Sequence, residues 1–115
     1  MSGIAALFRT GGPDVELHEV DAMVATLAAR GPQGARTWRR GTVGFGHALL
    51  ATTPEAARER QPFVDEATGA AIVADVRLDN REVLARLVDL QGRALRDVGD
   101  AELTLRAYQR WGEAC

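Results

Sequence analysis

The sequence predicts an α+β fold, a mostly antiparallel sheet with helices packed on it. Three observations predict it. Short apolar runs have strand length rather than helix length. Gly-containing turns sit between paired runs, where hairpins reverse. Longer stretches carry apolar residues at helical spacing. In chain order these give a strand, a helix, two hairpins and two helices.

Residues 3–8, "GIAALF", are the first buried strand, and "RTGGP" at 9–13 is a turn by its Gly and Pro content. In "DVELHEVDAMVATLAAR" Leu17, Val20, Met23, Val24 and Leu27 recur at helical spacing, with Asp14 as the expected N-cap. "GPQG" at 31–34 stops that helix. "TWRRGTVGFGHALLAT" reads as a hairpin, with Trp38 on one arm and Val43, Phe45 and His47 alternating on the other. "TPEAARERQP" at 53–62 reads as a polar, Pro-bounded connection, and "FVDEATGAAIVADVRL" as a second hairpin turning at "EATG". In "DNREVLARLVDL" Asp79 and Glu82 fit a capping box, and Val83, Leu84, Leu87 and Val88 form an apolar stripe. In "DAELTLRAYQRWG" Asp100 is the expected cap, Leu103, Ala107, Tyr108 and Trp111 share a face, and Gly112 closes the helix.

The chain has 115 residues, enough for one modest domain with one core. Hydrophobic content of 46%, charged content of 26% and a net charge of −2 match a globular protein. No apolar run approaches the roughly 20 residues of a membrane helix, and no secretory leader is visible, so the expected setting is the cytoplasm, with no membrane partner. All 14 basic residues are Arg, interleaved with 16 acids, so no one-sign stripe invites nucleic acid. Arg39, Arg40, Arg58 and Arg60 read as solvated. Cys115 has no internal disulfide partner, and His18 and His47 lack the neighbours of a metal site. No metal or cofactor is expected in this chain.

Ser2 is the single serine, and it follows Met1 directly. It is either an ordinary small residue after the initiator or, once Met1 is removed, a hydroxyl beside a free α-amine that can serve as its general base.

Five motifs then fall in a recognisable order: "SGIAALF" at 2–8, "ARGPQG" at 29–34, "VGFGHALL" at 43–50, "AIVADVRLDNREVL" at 71–84 and "GDAELTLRAYQRWGEAC" at 99–115. Together they resemble the N-terminal glutamine amidotransferase domain of asparagine synthetase, whose pattern runs CGI, RGPD, GHRRL, NGEIYN, SDTE and a helix ending in WG. The resemblance implies an Ntn-hydrolase-like antiparallel sheet sandwich with flanking helices, of which residues 1–115 are a partial, first-half domain. It also implies a Cys nucleophile exposed by Met removal.

Position by position the resemblance implies a degraded site. Ser2 stands at the nucleophile, and Leu49 where the second Arg of GHRRL holds the glutamine carboxylate. Asp75 and Val76 stand where Asn and Gly build the oxyanion hole. Asp100 resembles the Asp that holds the substrate amine. A hydroxyl is less acidic than a thiol and needs a better base. Losing one oxyanion donor costs about 10²–10³ in rate, and without Arg the carboxylate loses its bidentate partner.

"LLATTPEAARERQP" and "ADVRLDN" are similar to asparagine synthetase-related cyclases that close lasso peptides, with β-lactam synthetase a related case. There the amidotransferase-like domain is a scaffold for a C-terminal ATP-pyrophosphatase synthetase domain. That domain, its Ser-Gly-Gly-x-Asp-Ser loop and the expected ATP and Mg are absent from these residues. The implied partners are that synthetase domain and a precursor peptide. Two alternatives stay open: an amidohydrolase using Ser2, and a non-catalytic binding module or truncated product.

Overall fold

The computed structural model describes residues 1–115. The elements are β1 (Gly3–Phe8), α1 (Leu17–Ala25), β2 (Ala35–Arg40), β3 (Val43–Ala48), α2 (Pro54–Arg58), β4 (Phe63–Asp65), β5 (Ala70–Ile72), α3 (Arg81–Leu87) and α4 (Asp100–Trp111). The architecture is the predicted α+β arrangement of antiparallel sheets with flanking helices. No helix is long and apolar enough to cross a membrane.

β3 lies between β1 and β2, antiparallel to both. Gly3 pairs with Ala48 on one side, and Arg40 pairs with Val43 across the two-residue turn Gly41-Thr42 on the other. Alternation puts Gly44 and Gly46 on the face that α1 covers. A Cβ on Gly46 would lie 2.0 Å from Cγ2 of Val24, and one on Gly44 would lie 2.4 Å from Cγ2 of Val20. Two missing side chains therefore let a helix rich in valine close on the sheet. Ala5, Val15, Val20 and Val24 form the core that results.

The expected single core is two. Val88, Val98, Leu103 and Ala107 form a second cluster around α4. The Cα radius of gyration is 14.5 Å, somewhat above the roughly 13 Å of a chain this long packed around one centre. The second sheet is small: β4 and β5 pair over three residues each, and the strand stops at Ile72 rather than running to Leu78. The "EATG" turn falls where predicted.

Several local expectations are corrected. The segment 53–62 contains α2, capped by Thr53, whose hydroxyl accepts from the Ala56 N–H at 3.1 Å. α1 is capped by Glu16, in a capping box with Glu19, and not by Asp14. Arg9 holds the Asp14 carbonyl and the Val15 N–H donates to Gly41, so this stretch belongs to the sheet. Asn80, not Asp79, occupies the N-cap position of α3, with no side-chain bond to the helix, and Asp79 is solvated. Its apolar stripe is only partly covered, since Val83 and Leu87 are exposed. On α4, Tyr108 and Trp111 are exposed, whereas Glu102 and Arg106 are buried. Gly112 ends α4 at φ 64°, as predicted.

The buried charges on α4 have partners. Arg106 donates to Asp65 at 2.9 Å and to Glu102 at 3.1 Å, and Arg93 also reaches Glu102. Gln109 donates to Asp65 at 2.8 Å. The Gln109 amide, the Thr68 hydroxyl, the Ala67 N–H and the Arg106 charge hold the Asp65 carboxyl down at about 2.

Two outcomes are expected. Gly46→Ala pushes α1 off the sheet and lowers stability by about 1–3 kcal/mol in urea unfolding; an unchanged midpoint would mean that α1 does not sit this close. Asp65 has a lowered folded-state value, so its contribution is present above the ordinary carboxyl range and is lost as pH falls from about 4 to about 2. Asp65→Asn lowers the denaturation midpoint at neutral pH and flattens this acid limb. A limb of undiminished slope in the variant would place the titration elsewhere.

Candidate functional site

Ser2 immediately precedes β1, and the pairing of Gly3 with Ala48 sets it beside the end of β3. Its hydroxyl accepts from the Leu50 N–H at 2.9 Å and donates to the Leu50 carbonyl at 3.3 Å. Leu50 is itself held. The Leu49 N–H donates to Gly34 at 2.8 Å, Gln33 donates back to the Leu49 carbonyl, and the Gln33 side chain accepts from the Ala51 N–H at 2.6 Å. The "GPQG" segment thus fixes the residues that fix Ser2.

The five residues singled out from sequence come together. Ser2, Leu49, Asp75, Val76 and Asp100 line one cavity of about 40 Å³ between the end of the three-stranded sheet and the start of α4. That is room for a few waters, at roughly 10–15 Å³ each on this measure. His47, Glu59, Gln61 and Arg77 line it too. Sequence reasoning passed over these. His47 had a signal, because "GHALL" keeps the His of GHRRL. Glu59 had none, lying in what reads as a polar connection.

Asp100 is not the cap of α4; Gly99 is. Asp100 turns outward from the helix start, accepts from the Leu78 N–H at 3.0 Å and pairs with Arg81. Arg81 also donates to the Val98 carbonyl at 2.6 Å. Both Asp100 oxygens are therefore spent on holding the 78–81 segment, which directly follows the stretch bearing Asp75 and Val76.

Capping of α4 is done from 43 residues away. The Glu59 carboxylate accepts from the Glu102 N–H at 2.9 Å, one of the donors the helix leaves unpaired. Gly99 makes this possible, since a Cβ there would lie 2.0 Å from Cδ of Glu59. A carboxylate at a helix N-terminus is favoured by the helix dipole. Burial works against it and raises the Glu59 value. The Glu102 and Ala101 N–H groups pull it back, and the charges of Asp100 and Glu102 add to the rise.

His47 is also buried, which lowers its value below the ordinary imidazole range, with Asp75 opposing. Burial thus favours its neutral form. No hydrogen bond joins it to Ser2, whose proton points at the Leu50 carbonyl. Asp75, Glu59 and Asp100 make the cavity acidic. Its one cation, Arg77, is solvated and sits 3.8 Å from Asp79. Leu49 gives the interior no charge to receive a substrate carboxylate. No group of three His, Cys, Asp or Glu side chains gathers to hold a metal ion.

Glu59→Ala leaves the α4 N–H groups unpaired and costs about 1 kcal/mol. Glu59→Gln keeps the acceptor and removes the buried charge, so at pH 7 it matches or exceeds the parent. A raised folded-state value means that the parent gains stability as pH falls toward 4.5, so this advantage shrinks over that window. Denaturation curves at pH 7 and pH 5 check it; a Gln variant as weak as Ala would show that charge, not the acceptor, carries the cap.

Comparison with known proteins agrees with the motifs. A family model described as a glutamine amidotransferase domain matches residues 1–115. The chain is 30% identical over 101 residues to "Asparagine synthetase [glutamine-hydrolyzing] 3" of Bacillus subtilis (strain 168), covering 87% of this chain. It spans 16% of that relative's length. No solved structure matches it. With the family match extending over every residue, the chain belongs to the glutamine amidotransferase domain family and is related to asparagine synthetase.

Proposed function

We propose that this chain is a glutaminase-inactive amidotransferase-like domain of an ATP-dependent amide ligase, of the type that closes lasso peptides. The observation that carries the inactive half is the state of Ser2. Its hydroxyl is closed onto the Leu50 backbone, accepting from the Leu50 N–H and donating to the Leu50 carbonyl, and with Met1 attached Ser2 has no free α-amine to serve as its base. Three further features support it. Leu49 offers no charge to a glutamine carboxylate, Asp75 would oppose a developing oxyanion, and Asp100 is committed to Arg81 and Leu78.

A ligase of this type needs no ammonia. A substrate carboxylate attacks ATP at its α-phosphorus and releases pyrophosphate. An amine on the same substrate then attacks the acyl-adenylate carbonyl, loses a proton and expels AMP. None of that chemistry rests on residues of this chain, whose part is to support a synthetase domain and a precursor peptide. The implied compartment is the cytoplasm, where ATP is supplied.

A second reading has one observation in its favour. His47 and Glu59 line the same cavity as Ser2, so titratable groups stand around the hydroxyl that removal of Met1 would leave beside a free α-amine.

Glutamate release from glutamine distinguishes the two. The expected result is no release above buffer, for the parent and for Ser2→Ala alike. Turnover by the parent that Ser2→Ala abolishes would overturn the inactive reading and establish a serine amidohydrolase. The ligase half is tested separately, by reading the coding DNA beyond the Cys115 codon. An open frame reaching Ser-Gly-Gly-x-Asp-Ser is expected, and a stop codon with no such frame would remove it.

A further inference from the structure

Six polar or charged residues are buried in this chain: Ser2, His47, Gln61, Asp65, Glu102 and Arg106. Ser2, Asp65, Glu102 and Arg106 are bonded through their side chains. The other two carry unpaired atoms. Gln61 Oε1 accepts from the Ala74 N–H, which fixes the amide's orientation and leaves its NH2 without an acceptor. His47 is 5% exposed, and its ring makes no hydrogen bond or ion pair. Arg106 Nε is the one buried side-chain atom that is both unpaired and sealed from water. The unpaired nitrogens of His47 and Gln61 are therefore open to space, and both residues line the Ser2 cavity. Alternation along the strands agrees, since it sets His47 and Ser2 on the face of the sheet opposite α1.

This cavity is an interior space and not a free edge. Five stretches wall it: Ser2 ahead of β1, the end of β3, the segment from Thr52 to Gln61, residues 74–77, and the first residue of α4. Its charge is uncompensated. Arg81 neutralises Asp100, but Glu59 and Asp75 take part in no ion pair. Arg77 lies out toward Asp79 with its side chain 72% exposed.

Water alone could serve His47 and Gln61, yet it would leave two carboxylates without a counter-charge beside a buried ring. A cation that carries N–H donors meets both needs. Unprotonated imidazole offers a lone pair, which accepts an N–H. Hard metal cations take oxygen ligands instead, and no three imidazole or carboxylate groups converge here as a metal site requires. Size sets the limit. About 40 Å³ holds one ion of water size and a water or two beside it.

We propose that the Ser2 cavity binds a small protonated amine, of the size of ammonium, among His47, Glu59 and Asp75. The ion donates one N–H to the free His47 nitrogen and others to the carboxylates, and a water beside it accepts from the Gln61 amide. Binding of this kind is independent of whether Ser2 turns glutamine over.

Imidazole resonances of the protein at pH 7 provide the test. The chain has two histidines, and the exposed His18 is an internal reference. Titration with ammonium chloride at constant ionic strength is expected to shift the His47 signals saturably and leave those of His18 in place. Potassium chloride should act roughly tenfold more weakly, the worth of one hydrogen bond to a charged group. Tetramethylammonium, which is too large and has no N–H, should not act at all. Asp75→Asn, at an exposed position that folding tolerates, should weaken binding roughly two- to fivefold. No saturable His47 shift would mean that the cavity holds water only and would overturn the site. Parallel shifts of both histidines, or an equal response to tetramethylammonium, would reduce the effect to bulk salt and overturn it too. Potassium binding as tight as ammonium would overturn selection by N–H donors, and unchanged affinity in Asp75→Asn would overturn the part given to that carboxylate.

Discussion

The Glu59 carboxylate at the amino end of α4 is the contact on which the arrangement of the site depends. The molecule has two small cores, one under α1 and one under α4, and neither extends into the other. What spans them is a set of polar ties carried by the segment that leaves β3. Glu59 binds the Glu102 N–H, and Gln61 accepts from the Ala74 N–H at 2.8 Å. Ser2 closes on Leu50 at the start of the same segment. The cavity is what lies among these ties. Its shape is set by hydrogen bonds rather than by packed apolar volume, so it is small, polar and acidic.

That origin is what the proposed scaffold role rests on. A nucleophile needs a free proton path and a cradle for the charge that develops in the transition state. Here the hydroxyl, the Asp100 carboxylate and the Glu59 carboxylate are each engaged in holding backbone. At the positions that resemble a catalytic site, Ser2 and Asp100 both bond backbone groups. Asp100 shows this most directly, since Arg81 neutralises it and ties it in turn to the Val98 carbonyl.

Charge plays the same part inside the second core. Arg106 reaches two carboxylates, on β4 and on its own helix, while its Nε has no partner. A buried guanidinium so placed adds little net stability over apolar packing, but removing one partner would leave a buried charge exposed to the other's absence. The network therefore acts as a register pin between β4 and α4. It also makes the fold sensitive to acid, through a carboxyl held at about 2.

The sequence by itself determined the order of the elements other than α2, the turns at Gly41-Thr42 and "EATG", the Gly112 stop and five of the residues that line the Ser2 cavity. These rest on local hydrogen bonding and side-chain periodicity, or on motifs whose spacing survives. Tertiary structure alone decided who caps what. Asp14, Asp79 and Asp100 all look like caps, yet Asp100 was drawn away by Arg81, and α4 took its cap from Glu59 across 43 residues. It alone also decided that Glu102 and Arg106 are buried while Tyr108 and Trp111 are not. The physical reason is one of range. A cap or a buried charge is satisfied by whatever group the folded chain brings near, and helical periodicity carries no record of partners 40 residues away.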